Sequence, residues 1–260
     1  MIGWVHCGTR GSSSLRLLTM RISLVIPAFN EEKLIGRSLA CIRDSLVPFH
    51  ARGWETELIV CDNNSTDRTA ELAREAGAHV VFEAVNQISR ARNRGAQAAR
   101  GDWLVFVDAD SYPSSGLMGE VALAIESGRY VGGGSTVRLE GVTGLTRFMN
   151  GVWNGLSRTM GWAAGSFIFC ETAAFRVLGG LSEALYASEE IEFSRRLRRH
   201  ARGQGKSTVI LARHPLATSP RKAMFCSRLE FGRMLWQTVW QRGANLRRRE
   251  DCAIWYDGRR

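Results

Sequence analysis

Long apolar runs are lacking in this sequence of 260 residues. No run approaches the roughly 18–20 apolar residues that a helix needs to span a bilayer, so we expect no transmembrane helix. The first 19 residues are rich in glycine and serine and lack the apolar stretch of a signal peptide. Apolar residues make up 45% and charged residues 23%, which excludes a collagen, a coiled-coil rod and a mainly disordered chain.

Paired cysteines are also lacking. None of the six cysteines forms a C-x-x-C pair, and no histidine cluster lies near them. Cys41 and Cys61 fall inside apolar periodic segments, where cysteine usually behaves as a small hydrophobe. This usage predicts reduced thiols in a cytoplasmic protein, and neither a zinc site nor a disulfide framework.

Positive charge is concentrated in the last quarter of the chain. Residues 1–194 carry 18 basic and 21 acidic side chains, whereas residues 195–260 carry 17 and 4. A nucleic-acid-binding protein would more often be basic throughout, so no nucleic acid is expected as a partner. We predict a basic amphipathic helix and tail over residues 223–260, in peripheral contact with anionic lipid at the inner membrane face. The alternatives are packing of this helix on the rest of the protein, a solvated basic surface, and contact with a phosphate-bearing substrate.

Alternating strand and helix patterns begin after Met20. We therefore expect residues 1–20 to be a disordered or wrongly assigned extension and residues 21–222 to form one domain. Strands are predicted at residues 22–27, 57–61, 79–82, 103–107, 131–139, 166–170 and 208–211. Helices are predicted after Asn30, which would cap the first of them, and at residues 69–76, 89–100, 145–160 and 189–199. This order predicts an α/β fold with a mostly parallel central sheet flanked by helices.

Polar clusters follow three of the predicted strands, at the strand ends where parallel sheets bind their ligands. They are residues 29–31, residues 62–65 and the Asp108-Ala109-Asp110 segment. Two carboxylates separated by one small residue leave a strand end close together, and such oxygen ligands suit Mg²⁺ or Mn²⁺. The sequence therefore predicts a divalent-cation site at Asp108 and Asp110.

Four segments in order resemble the motifs of family 2 glycosyltransferases. They are residues 23–32 (SLVIPAFNEE), 58–67 (LIVCDNNSTD), 91–95 (ARNRG) and 107–110 (VDAD). The resemblance implies the GT-A fold of nucleotide-diphospho-sugar transferases. It also implies inverting, metal-dependent transfer of a sugar from a nucleotide-diphosphate donor to an acceptor hydroxyl. The acceptor (a sugar, a lipid-linked group or a small molecule) is left open.

The resemblance also assigns roles to individual residues. Phe29, Glu31, Asp62, Arg92 and Asp108 would bind the nucleotide sugar. The divalent cation would be held by Asp110 directly and by Asp108.

A later acidic motif of the family matches residues 187–193 (ASEEIEF), where a glutamate stands in place of the usual aspartate. Glu190 would be the general base, with Glu189 beside it. Complementing a helix dipole is the other explanation for these acids. His214 would complete the metal shell, as a C-terminal histidine does in related folds.

Two other functional classes are compatible with these patterns. A nucleotidyltransferase would share the α/β core and the acidic metal site, but it usually carries a glycine-rich phosphate loop after the first strand. Residues 27–32 contain no glycine. A non-catalytic protein that binds nucleotides or membranes was the other alternative.

Overall fold

The computed structural model describes residues 19–219 and 244–252. The strands are β1 (Arg21–Ala28), β2 (Glu55–Asp62), β3 (His79–Phe82), β4 (Trp103–Val107), β5 (Ser111–Tyr112), β6 (Tyr130–Leu139), β7 (Phe167–Glu171) and β8 (Ser207–Thr218). The helices are α1 (Ile35–Ser45), α2 (Val47–His50), α3 (Thr69–Glu75), α4 (Ile88–Ala98), α5 (Ser115–Glu126), α6 (Gly144–Met160), α7 (Thr172–Val177) and α8 (Glu189–Gly203). Two 3₁₀ turns follow, at Ala244–Arg247 and Glu250–Cys252.

The eight strands form one sheet in the order β3-β2-β1-β4-β7-β6-β8-β5. The first four of these are parallel to one another, and β7 is antiparallel to both of its neighbours. In the β1–β2 register Ala28 lies opposite Asp62, and the Asn63 amide donates to the Ala28 carbonyl. The carboxyl ends of β2, β1 and β4 therefore meet at one edge of the sheet, as predicted for the α/β fold.

The hydrophobic core lies on both faces of the sheet. Leu24 of β1 packs in a cluster with residues of α1, α2 and α5, whereas its neighbour Val25 packs in a second cluster with residues of α4, α7 and α8. This alternation is the two-residue period of a strand buried on both sides. The helices therefore cover both faces of the sheet and leave its carboxyl edge accessible.

The first helix differs from its prediction. It begins at Ile35, after Leu34, with no side-chain cap and no acidic residue in its first turn. Asn30 has a left-handed backbone (φ 51°), and its side-chain oxygen accepts a hydrogen bond from the Thr66 amide at 2.8 Å. The predicted capping role of Asn30 is therefore wrong, because its side chain joins the loops after β1 and β2.

Four of the six cysteines lie in the described parts of the chain, whereas the two predicted terminal segments lie largely outside them. Cys41, Cys61, Cys170 and Cys252 are free thiols, and the last three are buried. In the described part of the chain, no helix combines the length and the apolar character needed to cross a membrane. The predicted extension at residues 1–20 lies outside the described residues except at its last two positions. The predicted helix at the start of residues 223–260 also lies outside them.

Candidate active site

The loops after β1, β2 and β4 line one cleft at the carboxyl edge of the sheet. Its walls are formed by Pro27, Ala28, Phe29, Glu31, Asn63, Asn86, Ile88, Asp108, Ala109 and Asp110. Four of the residues predicted from the sequence are therefore brought together: Phe29, Glu31, Asp108 and Asp110. Asp62, which was also predicted, is buried at the end of β2 and accepts a hydrogen bond from the Ser65 amide.

Short hydrogen bonds hold the loop after β1 against the loop after β2. The Glu31 amide donates to Thr69 Oγ1 at 2.7 Å, and the Asn30 amide donates to Ser65 Oγ at 3.0 Å. Glu31 itself is 5% exposed. These bonds fix the wall that carries Phe29 and Glu31 relative to the segment that follows Asp62.

The Asp108-Ala109-Asp110 segment is anchored on both sides. The Asp108 amide donates to the Ser166 carbonyl, and the Asp110 carbonyl accepts from the Ser219 amide at 3.0 Å. Asp110 is 4% exposed and Asp108 is partly exposed. The backbone of this segment is therefore tied to the end of β8 and to the loop before β7, and both aspartates line the cleft.

Arg92 of α4 joins three parts of the site. Its guanidinium donates to Asp108 Oδ1 at 2.8 Å, to Glu189 Oε1 at 2.8 Å and to the Gly165 carbonyl at 2.6 Å. Burial alone would lower the pKa of Arg92, but the carboxylates of Asp108 and Glu189 outweigh burial and raise it. The side chain, 3% exposed, is thus a buried cation that links the end of β4 to the start of α8.

Glu190 follows Glu189 in the first turn of α8. Burial and then the carboxylate of Glu189 raise the pKa of Glu190 to about 8. A methyl group placed on Gly165 would lie 3.5 Å from both Arg92 Nη2 and the Glu190 carboxyl carbon, so the two side chains converge on this glycine. A carboxyl group with such a raised pKa is a stronger base than an ordinary glutamate once it is deprotonated.

His214 lies on β8, apart from this cluster. Its Nδ1 pairs with Glu120 Oε1 of α5 at 2.7 Å, and its ring packs against Gly116. Among the described residues, no three histidine, cysteine, aspartate or glutamate side chains form a group able to hold a metal ion. Asp108, Asp110 and His214 are therefore not assembled as a three-ligand site, and the metal-binding role of His214 stays a prediction.

Asn63 and Gln87 are buried residues that the sequence analysis did not single out. The Asn63 side chain donates to the Val85 carbonyl and accepts from the Gln87 amide, and the Gln87 side chain donates to the carbonyls of Glu183 and Leu185. Together they connect the loop after β2 to the loop before α8. Asn63 lies inside the second motif, but its role depends on partners more than 20 residues away.

The short segment 244–252 packs beside the same region. The Tyr186 amide donates to the Leu246 carbonyl at 2.7 Å, and Cys252 is buried with Ala187 against Ile88. Since Ile88 lines the cleft, this C-terminal segment packs behind one wall of the cleft. Nothing in the sequence pattern predicted this contact.

Comparison with known proteins identifies the family. The sequence model described as glycosyl transferase family 2 matches residues 23–176, which is more than half of the chain. The chain belongs to glycosyltransferase family 2. The uncharacterised glycosyltransferase EpsJ of Bacillus subtilis is 32% identical over 102 residues, covering 37% of this chain and 28% of that protein. The match therefore spans under a third of that relative's length.

Solved structures show the fold of this glycosyltransferase. Staphylococcus aureus TarS (residues 1–349) superimposes with a TM-score of 0.62 at 18% identity, covering 91% of this chain and 69% of that one. Glucosyl-3-phosphoglycerate synthase of Mycobacterium tuberculosis, solved with Mn²⁺, uridine diphosphate and phosphoglyceric acid, gives a TM-score of 0.58 at 21% identity, covering 86% and 79%. The predicted GT-A fold is confirmed.

Proposed function

We propose that this glycosyltransferase moves a sugar from a nucleotide-diphosphate donor to an acceptor hydroxyl with inversion, and that a divalent cation assists. The observation that carries the proposal is the buried Arg92 bridge. One guanidinium holds both Asp108, at the donor cleft, and Glu189, beside the candidate base. Donor-side and base-side carboxyl groups thus belong to one hydrogen-bonded unit, and a fixed relative position of these groups favours transfer.

The cleft has the chemistry of a nucleotide site. Phe29 offers a partly exposed aromatic ring in the cleft, Glu31 also lines it, and Asp62 lies buried next to the lining residue Asn63. In this proposal the carboxylates of Glu31 and Asp62 accept hydrogen bonds from the base or ribose. The position of the cleft also supports a nucleotide site, because α/β sheets bind ligands beyond the carboxyl ends of their parallel strands. The family relatives crystallised with uridine diphosphate and with UDP-GlcNAc are consistent with such a donor.

The residues present fit a divalent cation. Asp108 and Asp110 provide hard oxygen ligands, and Arg92 occupies one oxygen of Asp108. Asp110 and Asp108 would hold the ion, and the diphosphate would supply further oxygens. When bound, the ion would neutralise charge on the departing nucleoside diphosphate.

Glu190 would act as the general base. Its carboxylate accepts the proton of the acceptor hydroxyl while that oxygen forms a bond to the anomeric carbon. The bond from this carbon to the diphosphate oxygen breaks, and the electron pair leaves with the diphosphate. A single displacement of this kind inverts the anomeric configuration. Arg92 is a positioning residue in this scheme, because its partners are protein carboxylates.

The domain assignment completes the proposal. Residues 21–222 would constitute the catalytic domain, with residues 223–260 as a basic appendage. Contact of that appendage with anionic lipid, and a place at the inner membrane face, also remain proposals.

A panel of nucleotide sugars incubated with the full chain and Mn²⁺ tests the function. We expect at least one donor to release its nucleoside diphosphate, faster with a suitable acceptor and slower after chelation of the metal. NMR of the glycoside would then show the anomeric configuration opposite to that of the donor. Release of a nucleoside monophosphate, or a product of retained configuration, would contradict the proposal.

A further inference from the structure

The segment between α7 and α8 leads directly into the candidate base. Residues 178–188 contain neither helix nor strand, and Ser188 has a left-handed backbone (φ 62°) immediately before Glu189. The buried apolar residues of α8 begin only at Phe193, so its apolar packing lies beyond the first turn. Besides the ion pair of Glu189, the position of Glu190 relative to the donor cleft therefore depends on the contacts that hold this segment.

Gln87 holds the middle of the segment from the start of α4. Its side chain is 2% exposed, and the side-chain nitrogen donates to the carbonyls of Glu183 at 2.8 Å and Leu185 at 2.9 Å. Both protons of this nitrogen are therefore used. The backbone amide of Gln87 donates to Asn63 Oδ1 at 2.9 Å, and Asn63 lines the donor cleft. One buried residue thus connects a wall of the donor cleft to the backbone that leads to Glu190.

A second buried amide holds the start of the same segment. The Asn93 side chain accepts from the Leu181 amide and donates to the Leu181 carbonyl, both at 2.9 Å, and it also donates to Glu183 Oε1 at 3.0 Å. A side chain at Gly180 would prevent this contact, because its Cβ would lie 2.6 Å from Asn93 Oδ1. Helix α4 therefore holds the segment at residues 181, 183 and 185 through two uncharged side chains.

We propose that Gln87 is a positioning residue for sugar transfer, which keeps Glu190 at a fixed place beside the donor cleft by holding the carbonyls of Glu183 and Leu185. This role rests on the proposed function, in which Glu190 takes the proton of the acceptor hydroxyl. Proton transfer needs the two oxygens within hydrogen-bond reach, so a displacement of the base by about 1 Å should slow the reaction roughly 10²-fold. Donor binding should be spared, because the contact with Asn63 uses only the backbone amide of Gln87.

Gln87→Met tests this role, because it keeps the length of the side chain, removes both donors and retains the backbone amide. With the donor identified in the nucleotide-sugar panel, we expect kcat to fall roughly 10- to 100-fold. The affinity for the matching nucleoside diphosphate with Mn²⁺, measured by calorimetry, should stay within about twofold of the wild type. Gln97→Met makes the same change at an exposed position of the same helix and should match the wild type in both measurements. A kcat within about twofold of the wild type, or a loss of affinity as large as the loss of kcat, would overturn the proposal.

A second variant separates positioning from stability. Gln87 is the N-cap residue of α4, and its side chain makes no capping hydrogen bond. Asparagine is a preferred N-cap residue, so Gln87→Asn should start α4 at least as well, but its side chain is one methylene too short to hold both carbonyls. We expect a melting temperature close to that of the wild type together with a lower kcat. This variant decides the question if Gln87→Met melts at a lower temperature, and a wild-type kcat in Gln87→Asn would overturn the proposal.

Hydrogen exchange tests the positioning without catalysis. In the full chain without substrates, the amides of residues 181–190 should exchange faster in Gln87→Met and Gln87→Asn than in the wild type, whereas those of β1 and β4 should not change. Unchanged exchange over residues 181–190 would overturn the positioning role even if kcat falls. If the wild type transfers sugar from no donor, the proposed function fails, and the exchange measurement alone decides whether Gln87 holds this segment.

Discussion

Arg92 brings one positive charge to a group of three acidic residues: Asp108, Glu189 and Glu190. Two of these accept hydrogen bonds from its guanidinium, and the third carries the raised pKa. One cation cannot balance three carboxylates, and burial first and the Glu189 carboxylate second raise the pKa of Glu190, which therefore keeps its proton up to about pH 8. Desolvation and the neighbouring Glu189 carboxylate together therefore account for the basicity of Glu190.

Replacing the base tests its assignment. Glu190→Gln keeps the size of the side chain and removes the proton acceptor, so sugar transfer should slow by roughly 10²–10⁴-fold. Donor affinity should change little, because the donor cleft is lined by other residues. Glu189→Gln is the matched control and should have the milder effect. If both variants transfer sugar at the wild-type rate, neither glutamate is the base, and complementing the helix dipole is the remaining explanation for these acids.

The pH dependence of transfer follows from the same pKa. Only the carboxylate form of Glu190 can accept a proton, and its pKa is about 8 in the structure. We expect kcat/KM to rise as the pH increases toward about 8 and then to level off. A profile already flat above pH 5 would show that Glu190 titrates as an ordinary glutamate.

The free energy of unfolding should fall over the same pH range in which kcat/KM rises. The folded protein binds the Glu190 proton more tightly than the unfolded chain, so this group costs stability as the pH rises from its unfolded pKa toward about 8. Glu190→Gln should therefore raise the melting temperature relative to wild type at pH 8, and the difference should shrink at pH 5. Equal melting temperatures at both pH values would contradict the raised pKa.

Removing the bridging guanidinium of Arg92 should lower the free energy of unfolding. Arg92→Met leaves Asp108 and Glu189 near each other without their shared donor, and loss of one partner in a buried ion pair costs about 3–5 kcal/mol. Urea unfolding measures this loss. Arg94→Met, an exposed position on the same helix, is the control and should change the unfolding free energy little. An equally small change in unfolding free energy for Arg92→Met would show that the bridge contributes little to stability.

At the scale of elements, the sequence predicted the strands better than the helices. The bounds of β3 and β4 agree with the prediction, because each is a short apolar run between polar turns. Strand β4 is buried on both faces, whereas β3 is an edge strand whose first and last residues are exposed. Helix α5 was not predicted, since its apolar residues lie on most of its circumference and give little periodicity. The strand at β8 was predicted too short because its second half is stabilised by pairing with β6 and β5.

The glycines of β6 have a packing reason that the sequence did not reveal. A Cβ at Gly133 would lie 1.8 Å from the Val209 carbonyl oxygen, so the strand leaves no space for a side chain. Gly133→Ala should destabilise the protein by about 1–3 kcal/mol. Gly151→Ala in α6 meets no atom within 4 Å and should stabilise by roughly 0.5–1 kcal/mol. Thermal or urea unfolding of the two variants measures whether Gly133→Ala lowers and Gly151→Ala raises the free energy of unfolding.

At the scale of the whole molecule, the order of parallel strands explains why a site could be predicted at all. Polar clusters separated by more than 30 residues meet because β1 lies between β2 and β4, and βαβ patterns predict that edge. Three features could not be predicted: the Arg92 bridge, the Asn63 contacts, and the packing of residues 244–252 beside the cleft. Each depends on side chains or backbone groups that only the complete fold brings together.

We propose that this edge of the sheet binds a nucleoside diphosphate with a divalent cation held by Asp110. Calorimetric titration of the wild type and of Asp110→Asn with a panel of nucleoside diphosphates, with and without Mn²⁺, tests it most directly. We predict that at least one nucleotide binds the wild type in a Mn²⁺-dependent way. Asp110→Asn should lose this binding and keep its melting temperature, since the carboxylate lies at a strand end. Unchanged Mn²⁺-dependent affinity in Asp110→Asn, or no binding by the wild type to any nucleotide, would contradict the account.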